Sequence, residues 1–255
     1  MMMDTPEITI IGAGRIGTAL SKSPLPNRLL KRTDRNLAAQ GPIILCTRND
    51  DLAEIVEWIP LERHNDIVLI QNGMLQSWLK EQGLSHVTQA LLYIAVSQVG
   101  DCAIDGNRSS VTGPHADIFV QLMQSLHLKC QKVSHAVFLT EMVEKFLWNC
   151  CFGLLSQYCG CSVGDVVTQH QELCHSLILE QITVCDQVFD LQLSSKEKTA
   201  MLERLCAYSL SIYNYQGAVK EWHWRNGWLV AQASNNLHYQ LLQNTTPTLL
   251  STSSI

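Results

Sequence analysis

The 255-residue chain is poor in charge. Lys, Arg, Asp and Glu make up 16% of it, and the formal net charge is −5. It has no long basic tract, so it lacks the electrostatic footprint of a nucleic-acid binder. Its apolar runs break before eighteen residues, which predicts no membrane span. The opening "MMMDTPEITI" has no cationic stretch ahead of an apolar one and no Arg/Ser bias, so neither a secretory nor a transit leader is expected, and the expected location is cytoplasmic. Only 7 prolines interrupt the chain, and it shows no internal repeat. Ten cysteines are present, including Cys150-Cys151 and Cys159-x-Cys161, but no secretory context supports a disulfide framework. No second Cys/His cluster matches either pair by spacing, so no metal is expected and the cysteines read as free thiols.

What is abundant is apolar: 46% of residues, enough for a sizeable core. The first half alternates apolar strands with helices. "EITII", "NRLLKR", "GPIILC", "DIVLI" and "TQALLYIAV" read as strands, and "DDLAEIVEWI" has helical spacing. That order suggests a parallel sheet covered on both faces. "CAIDG" and "RSSVTG" look like short antiparallel strands, residues 115–126 like a helix, and "LKCQKV" like one more strand. From His135 the chain reads as helices: "HAVFLTEMVEKFLWNCCFGLLSQYC", "QELCHSLILEQITVCDQVFD", "KEKTAMLERLCAYSLSIY" and "VKEWHWRNGWLVAQASNNLHYQLL", followed by a loose polar tail, "NTTPTLLSTSSI". The expected fold class is α/β, with a Rossmann-like dinucleotide-binding domain over residues 1–131 and a mainly α-helical domain over 132–255.

Three glycines follow the first strand in "ITIIGAGRIGTAL". In a dinucleotide turn the first allows the tight bend, the second the approach of the pyrophosphate, and the third close helix–strand packing. Gly12, Gly14 and Gly17, with Arg15 and Ile16 between them, are therefore the expected cofactor-binding residues. Past the second strand, "LLKRTDR" offers Lys31, Arg32 and Arg35 against the single acid Asp34. A ribose phosphate suits such a cluster, so NADP(H) is expected over NAD(H). Arg48 follows the next strand, at the end where open sheets bind ligands. Asn72, in Asn72-Gly73, follows the one after and suits a nicotinamide ribose or a substrate.

A hydride-transferring site also needs a proton donor. Lys145 is bracketed by Val143, Phe146 and Leu147, with Asn149 one turn later on the same side of the helix. Glu221 lies among Trp222, Trp224 and Trp228, where partial desolvation or a lysine partner would set its ionisation. His223 is a second acid, and Ser209 and Asn226 are potential ligand hydrogen-bonders.

In order and spacing these parts resemble the ketopantoate reductase (2-dehydropantoate 2-reductase) family over residues 7–233. "GAGRIG" resembles its nucleotide turn, "CTRNDDL" its phosphate-contacting strand end with Arg48 in the place of a lysine, and "LIQNGM" its Asn-Gly segment. "KFLWN" matches its Lys-x-x-x-Asn, and "KEWHWRNGWLVAQA" resembles its glutamate and Asn-Gly region. The resemblance implies NADPH-dependent reduction of a small 2-keto acid to the 2-hydroxy acid. Lys145 would be the general acid, Glu221 the active-site glutamate, and Asn149, Asn72 and Ser209 substrate-binding residues. It also implies a homodimer formed through the helical domain. Two positions depart from the pattern: Gly153 stands where a second asparagine is usual, and Tyr213 where the serine segment continues towards an aspartate. These departures keep two alternatives open, a non-catalytic NADP(H)-binding protein on the reductase fold and a reductase of an unrelated carbonyl compound. A scaffold protein built on the tryptophans and cysteines would bind no dinucleotide at all.

Overall fold

The computed structural model describes residues 6–251. The chain divides into two compact units, one up to Leu139 and one from Thr140 onward.

The first unit is built on a seven-stranded sheet in the order β2-β1-β3-β4-β5-β8-β9. Its strands are β1 (Ile8–Ile11), β2 (Asn27–Leu30), β3 (Ile43–Leu45), β4 (Ile67–Leu69), β5 (Thr88–Leu91), β8 (Ser109–Thr112) and β9 (Cys130–Lys132). β1 to β5 run parallel, whereas β8 is antiparallel to β5 and parallel to β9. β1, β3, β4 and β5 are buried along their whole length. That explains the Ile/Val/Leu-rich text of β1, β3 and β4: a strand covered on both faces has no solvent side to alternate with. The connecting helices are α1 (Arg15–Leu20), α2 (Leu52–Trp58), α3 (Gln76–Glu81) and α4 (Ala116–Ser125), with 3-10 turns at Asn49–Asp51 and Leu61–Asp66. α4 packs Ala116, Phe119, Leu122 and Met123 into a core shared with Ile8, Ile10, Ile44, Val68 and Val111. This Rossmann-like unit is the expected architecture.

The strand expected over "TQALLYIAV" is instead two. The chain leaves the sheet after Leu91 and pairs again as β6 (Ile94–Ala95) with the antiparallel β7 (Ile104–Asp105). The break is fixed at Tyr93. Its N–H donates to Ser109 Oγ at 2.9 Å, and its carbonyl accepts from Gly106 N at 2.7 Å.

The second unit is helical. Its central helix α5 (His135–Cys159) buries Phe138, Met142, Val143, Phe146, Leu147, Cys150, Cys151, Phe152, Leu154 and Leu155. Nearly every side of its middle turns is apolar, as expected of a helix packed within a core. α6 (Val163–Gln169), α7 (Gln171–Phe189) and α8 (Ser195–Ser211) follow. α8 starts on a capping box between Ser194 and Glu197. Buried Glu144 on α5 accepts from Arg204 Nε on α8 at 2.8 Å, so its charge is paired.

The last predicted helix is not continuous. Glu221 takes a left-handed conformation (φ +49°, ψ +52°), Trp222–Trp224 form a 3-10 turn, and α9 covers only Asn226–Gln232. After Asn235 (φ +60° range, at +64°) the chain restarts as α10 (Leu237–Thr245). α10 is tied to α7 because Glu180 accepts from the N–H groups of Leu237 and His238, at 2.8 and 3.0 Å. The tail expected to be loose contains α11 (Pro247–Ser251), with proline in its favoured first-turn place; residues 252–255 lie outside the described residues. Among the described residues no single helix is long and apolar enough to cross a membrane.

Candidate active site

In the first unit, the sequence-selected residues gather at the carboxyl ends of parallel strands. β1 has β2 on one side and β3 on the other, so the strand order reverses at β1, and Gly12 directly follows it. Such a reversal leaves a crevice for ligands. Gly12 has φ +115°, and a Cβ there would lie 2.6 Å from the Cys46 carbonyl oxygen. A Cβ on Gly17 would fall 1.9 Å from the Gly12 oxygen, so α1 could not pack on its own turn. Gly14, immediately before α1, is different: a Cβ there would meet nothing within 4 Å. The first and third glycines are required by the protein's packing, and the second borders open space. That division fits a dinucleotide pyrophosphate at the start of α1. Arg15 is exposed and reaches the Val96 carbonyl at 3.4 Å, while Ile16 packs on the sheet core.

The basic residues divide in the same way. Arg32 is exposed but ion-paired with Asp51. Arg35 lies over the Trp58 ring, 4.4 Å from its centroid. Asp34 accepts from the Lys31 N–H at 2.8 Å, which closes a turn. Arg48 is exposed beyond the end of β3; its carbonyl accepts from the Asp51 N–H at 3.1 Å, and no hydrogen bond or ion pair to its side chain is found among the described residues. Asn72 is held close by: its carbonyl accepts from the buried side chain of Asn49, next to Arg48, at 2.7 Å.

In the second unit, Lys145 and Asn149 lie one turn apart on α5, and Asn149 Nδ2 donates to the Lys145 carbonyl at 2.9 Å. Burial depresses the Lys145 pKa to about 7. Repulsion from Arg225 adds to that, and attraction to Glu221 opposes it. Lys145 is thus electrostatically coupled to both members of an ion pair: Arg225 Nη2 lies 2.6 Å from Glu221 Oε2. Arg225 is 8% exposed, and its Nε has no hydrogen-bond partner. The sequence reading chose Lys145 and Glu221 but missed Arg225. The available signal was its position four residues after Glu221, where a helical or turn geometry brings the two side chains together.

Other selected residues have different surroundings. Ser209 is fully buried; its hydroxyl donates to the Leu205 carbonyl at 3.1 Å and accepts from Trp148 Nε1 at 2.9 Å. Asn226 is also fully buried. Its Nδ2 donates to the Cys150 carbonyl at 3.2 Å and to His238 Nε2 at 3.0 Å. Burial holds His238 at a pKa of about 4, so it is neutral at pH 7. Trp228 stacks on Phe189 and meets Phe146 edge-on, with centroids 5.7 and 5.4 Å away. Trp222 is buried, and a Cβ on Gly227 would lie 2.7 Å from its carbonyl oxygen.

Both departures from the family pattern have local packing reasons. A Cβ on Gly153 would lie 2.8 Å from the Ala218 carbonyl oxygen, and one on Gly217 2.7 Å from that of Phe152. Here α5 and the segment leading to Glu221 touch backbone to backbone, which leaves no room for an asparagine. Tyr213 covers Gly164 with its ring and donates its hydroxyl to Asp165 Oδ1 at 2.8 Å.

A mostly parallel sheet with a glycine turn at its switch point, followed by a helical unit bearing a lysine of lowered pKa, defines a Rossmann-like α/β fold with a mainly α-helical C-terminal part. Residues 137–235 match the family model of the ketopantoate reductase PanE/ApbA C-terminal domain. Over that span the chain is similar to the C-terminal domain of ketopantoate reductases. The solved structures similar to it include the dimeric ketopantoate reductase of Staphylococcus aureus, at 19% identity and a TM-score of 0.68, aligned over 97% of this chain and 98% of that one. The 2-dehydropantoate 2-reductase of Methylococcus capsulatus aligns over 98% of each chain, at 15% identity and a TM-score of 0.73. A D-mandelate dehydrogenase in complex with NADH aligns over 96% of this chain and 99% of its own, at 13% identity and a TM-score of 0.69. At these identities the likeness is one of fold. Comparison with curated proteins gives no match.

Proposed function

We propose that the protein is an NADPH-dependent reductase of a small 2-keto acid, 2-dehydropantoate or a related compound, with Lys145 as general acid. The observation that carries this reading is the state of Lys145. Its amine is buried on α5 beside the Glu221–Arg225 pair, with a pKa brought down to about 7. A group with that pKa can give up a proton near neutrality, which an ordinary surface lysine cannot do efficiently. Relatives of the same fold are named as reductases of 2-dehydropantoate and as a D-mandelate dehydrogenase, so a 2-hydroxy or 2-keto acid is the substrate class common to them.

The reduced nicotinamide, when bound, supplies the hydride. Lys145 donates its proton to the carbonyl oxygen, leaving the alcohol and a neutral amine. Glu221 holds Arg225 and keeps Lys145 partly protonated. The unpartnered Nε of Arg225 is a donor for the substrate carboxylate, and Asn149 and Asn72 orient the remaining polar groups. Ser209 acts through Trp148, positioning the wall of α5. Gly12, Gly14, Arg15, Ile16 and Gly17 hold the pyrophosphate. Arg48, with Arg32 beside Asp51, receives the ribose phosphate that distinguishes NADPH from NADH. On this reading the protein works in the cytoplasm, with the helical domain, residues 132–255, pairing two copies.

The deciding assay is NADPH oxidation across a panel of 2-keto acids, 2-dehydropantoate included, with an aldehyde and a simple ketone as controls. Turnover confined to 2-keto acids supports the assignment. NADPH binding without turnover of any of them would leave the non-catalytic alternative.

A further inference from the structure

The spacing of the cysteines led to the expectation of no metal, because Cys159 and Cys161 have no second cluster near them in sequence. The fold supplies the third member. Cys159 Sγ, Cys161 Sγ and a ring nitrogen of His170 all lie within 4.8 Å of one another, and each residue is half-buried. We infer that Cys159, Cys161 and His170 form a binding site for a zinc-class cation, a function the proposed reductase chemistry does not use.

The local backbone converges on this point. α5 ends at Cys159, and Gly160 takes a left-handed conformation (φ +66°) that turns the chain within one residue. The bend directs the thiols on either side of it to one place; with both residues on a continuing helix they would point about 200° apart. Cys161 is then fixed from both ends: its N–H donates to the Ser156 carbonyl, at 3.2 Å, and its carbonyl accepts from Ser156 Oγ at 2.5 Å. Ser162 caps α6, which is seven residues long, and His170 sits at the junction of α6 and α7. Its backbone N–H donates to the Val166 carbonyl at 3.1 Å and its carbonyl accepts from Cys174 N at 2.9 Å. The main chain is thereby committed, while no hydrogen bond to the His170 ring is found among the described residues.

The donor set selects the cation. Two thiolates and an imidazole are soft to borderline ligands, which suit zinc and disfavour magnesium or calcium. Tetrahedral zinc at Zn–S of about 2.3 Å sets its ligand sulfurs about 3.8 Å apart. The three donors therefore need to close by at most about 1 Å. Three protein ligands leave a fourth position for water or a small anion. A cation binding there takes the two sulfurs as thiolates, so it displaces thiol protons. Bound there, it would join the end of α5 to the α6–α7 junction.

The test is cobalt titration of the full-length reduced protein. One equivalent of Co²⁺ is expected to give thiolate-to-metal charge-transfer absorption and the visible bands of a tetrahedral site, and one equivalent of Zn²⁺ should remove both. His170→Ala and Cys159→Ser should each lose the tetrahedral bands. In the unmutated protein, Zn²⁺ should protect Cys159 and Cys161 from alkylation, read by mass spectrometry, so the answer does not depend on how a variant folds. Absence of the charge-transfer band, its persistence in His170→Ala, or protection of Cys174 and Cys206 instead overturns the site.

Discussion

Glu221 and Arg225 form an ion pair, 2.6 Å between Oε2 and Nη2, across the 3-10 turn that precedes α9. The pair acts on Lys145 with opposite signs: Glu221 raises the lysine pKa and Arg225 lowers it, on top of the larger lowering by burial. Glu221 reaches its place through a left-handed backbone that a non-glycine residue adopts at a cost. The chemistry expected of Lys145 follows from this three-residue arrangement.

A general acid must be protonated to act. With a pKa of about 7, Lys145 is charged below that pH and neutral above it. The rate of keto-acid reduction should therefore fall as pH rises through about 7. Lys145→Ala should lower kcat by about 100-fold or more, with NADPH affinity unchanged by fluorescence titration. A variant that keeps the parent rate removes lysine from the mechanism.

The two partners should move that pH limb in opposite directions. Arg225→Met removes a repulsive charge, so the lysine pKa and the limb should rise. Glu221→Gln removes an attractive one, so both should fall. Shifts on the order of one pH unit are expected, read from kcat/KM profiles. Displacement of both variants in the same direction contradicts the electrostatic coupling.

The Arg48 side chain stands exposed and without a partner among the described residues, beyond the end of β3. If it holds the ribose phosphate, Arg48→Ala should weaken NADPH binding roughly 10-fold, with NADH changed by no more than about twofold. Calorimetry with both nucleotides measures the gap. Equal affinities in the parent protein would remove the argument for NADP(H).

Gly153 is needed for close packing. A Cβ would lie 2.8 Å from the Ala218 carbonyl oxygen, so Gly153→Ala should cost on the order of 1–3 kcal/mol, and Gly153→Asn more. Urea denaturation reads the loss. An asparagine tolerated at no cost would mean that the 217–221 segment yields easily, and Glu221 with it.

The sequence by itself determined the layer order. Unbroken apolar strands, three glycines after β1 and a proline-free helix of 25 residues carry their structure in local text, because burial on both faces and helix propagation are read from composition and spacing. It also singled out Lys145 and Glu221. It failed where a backbone bend decides the outcome: the split at Tyr93, and the left-handed Glu221 and Asn235 that divide one expected helix. A residue's conformation there is set by neighbours distant in the chain. Only the tertiary structure brought Arg225 into coupling with Lys145, pressed Gly153 against Ala218, and carried His170 to Cys159 and Cys161. Charge coupling, steric exclusion and metal ligation depend on distances of a few ångströms, and those are fixed by packing.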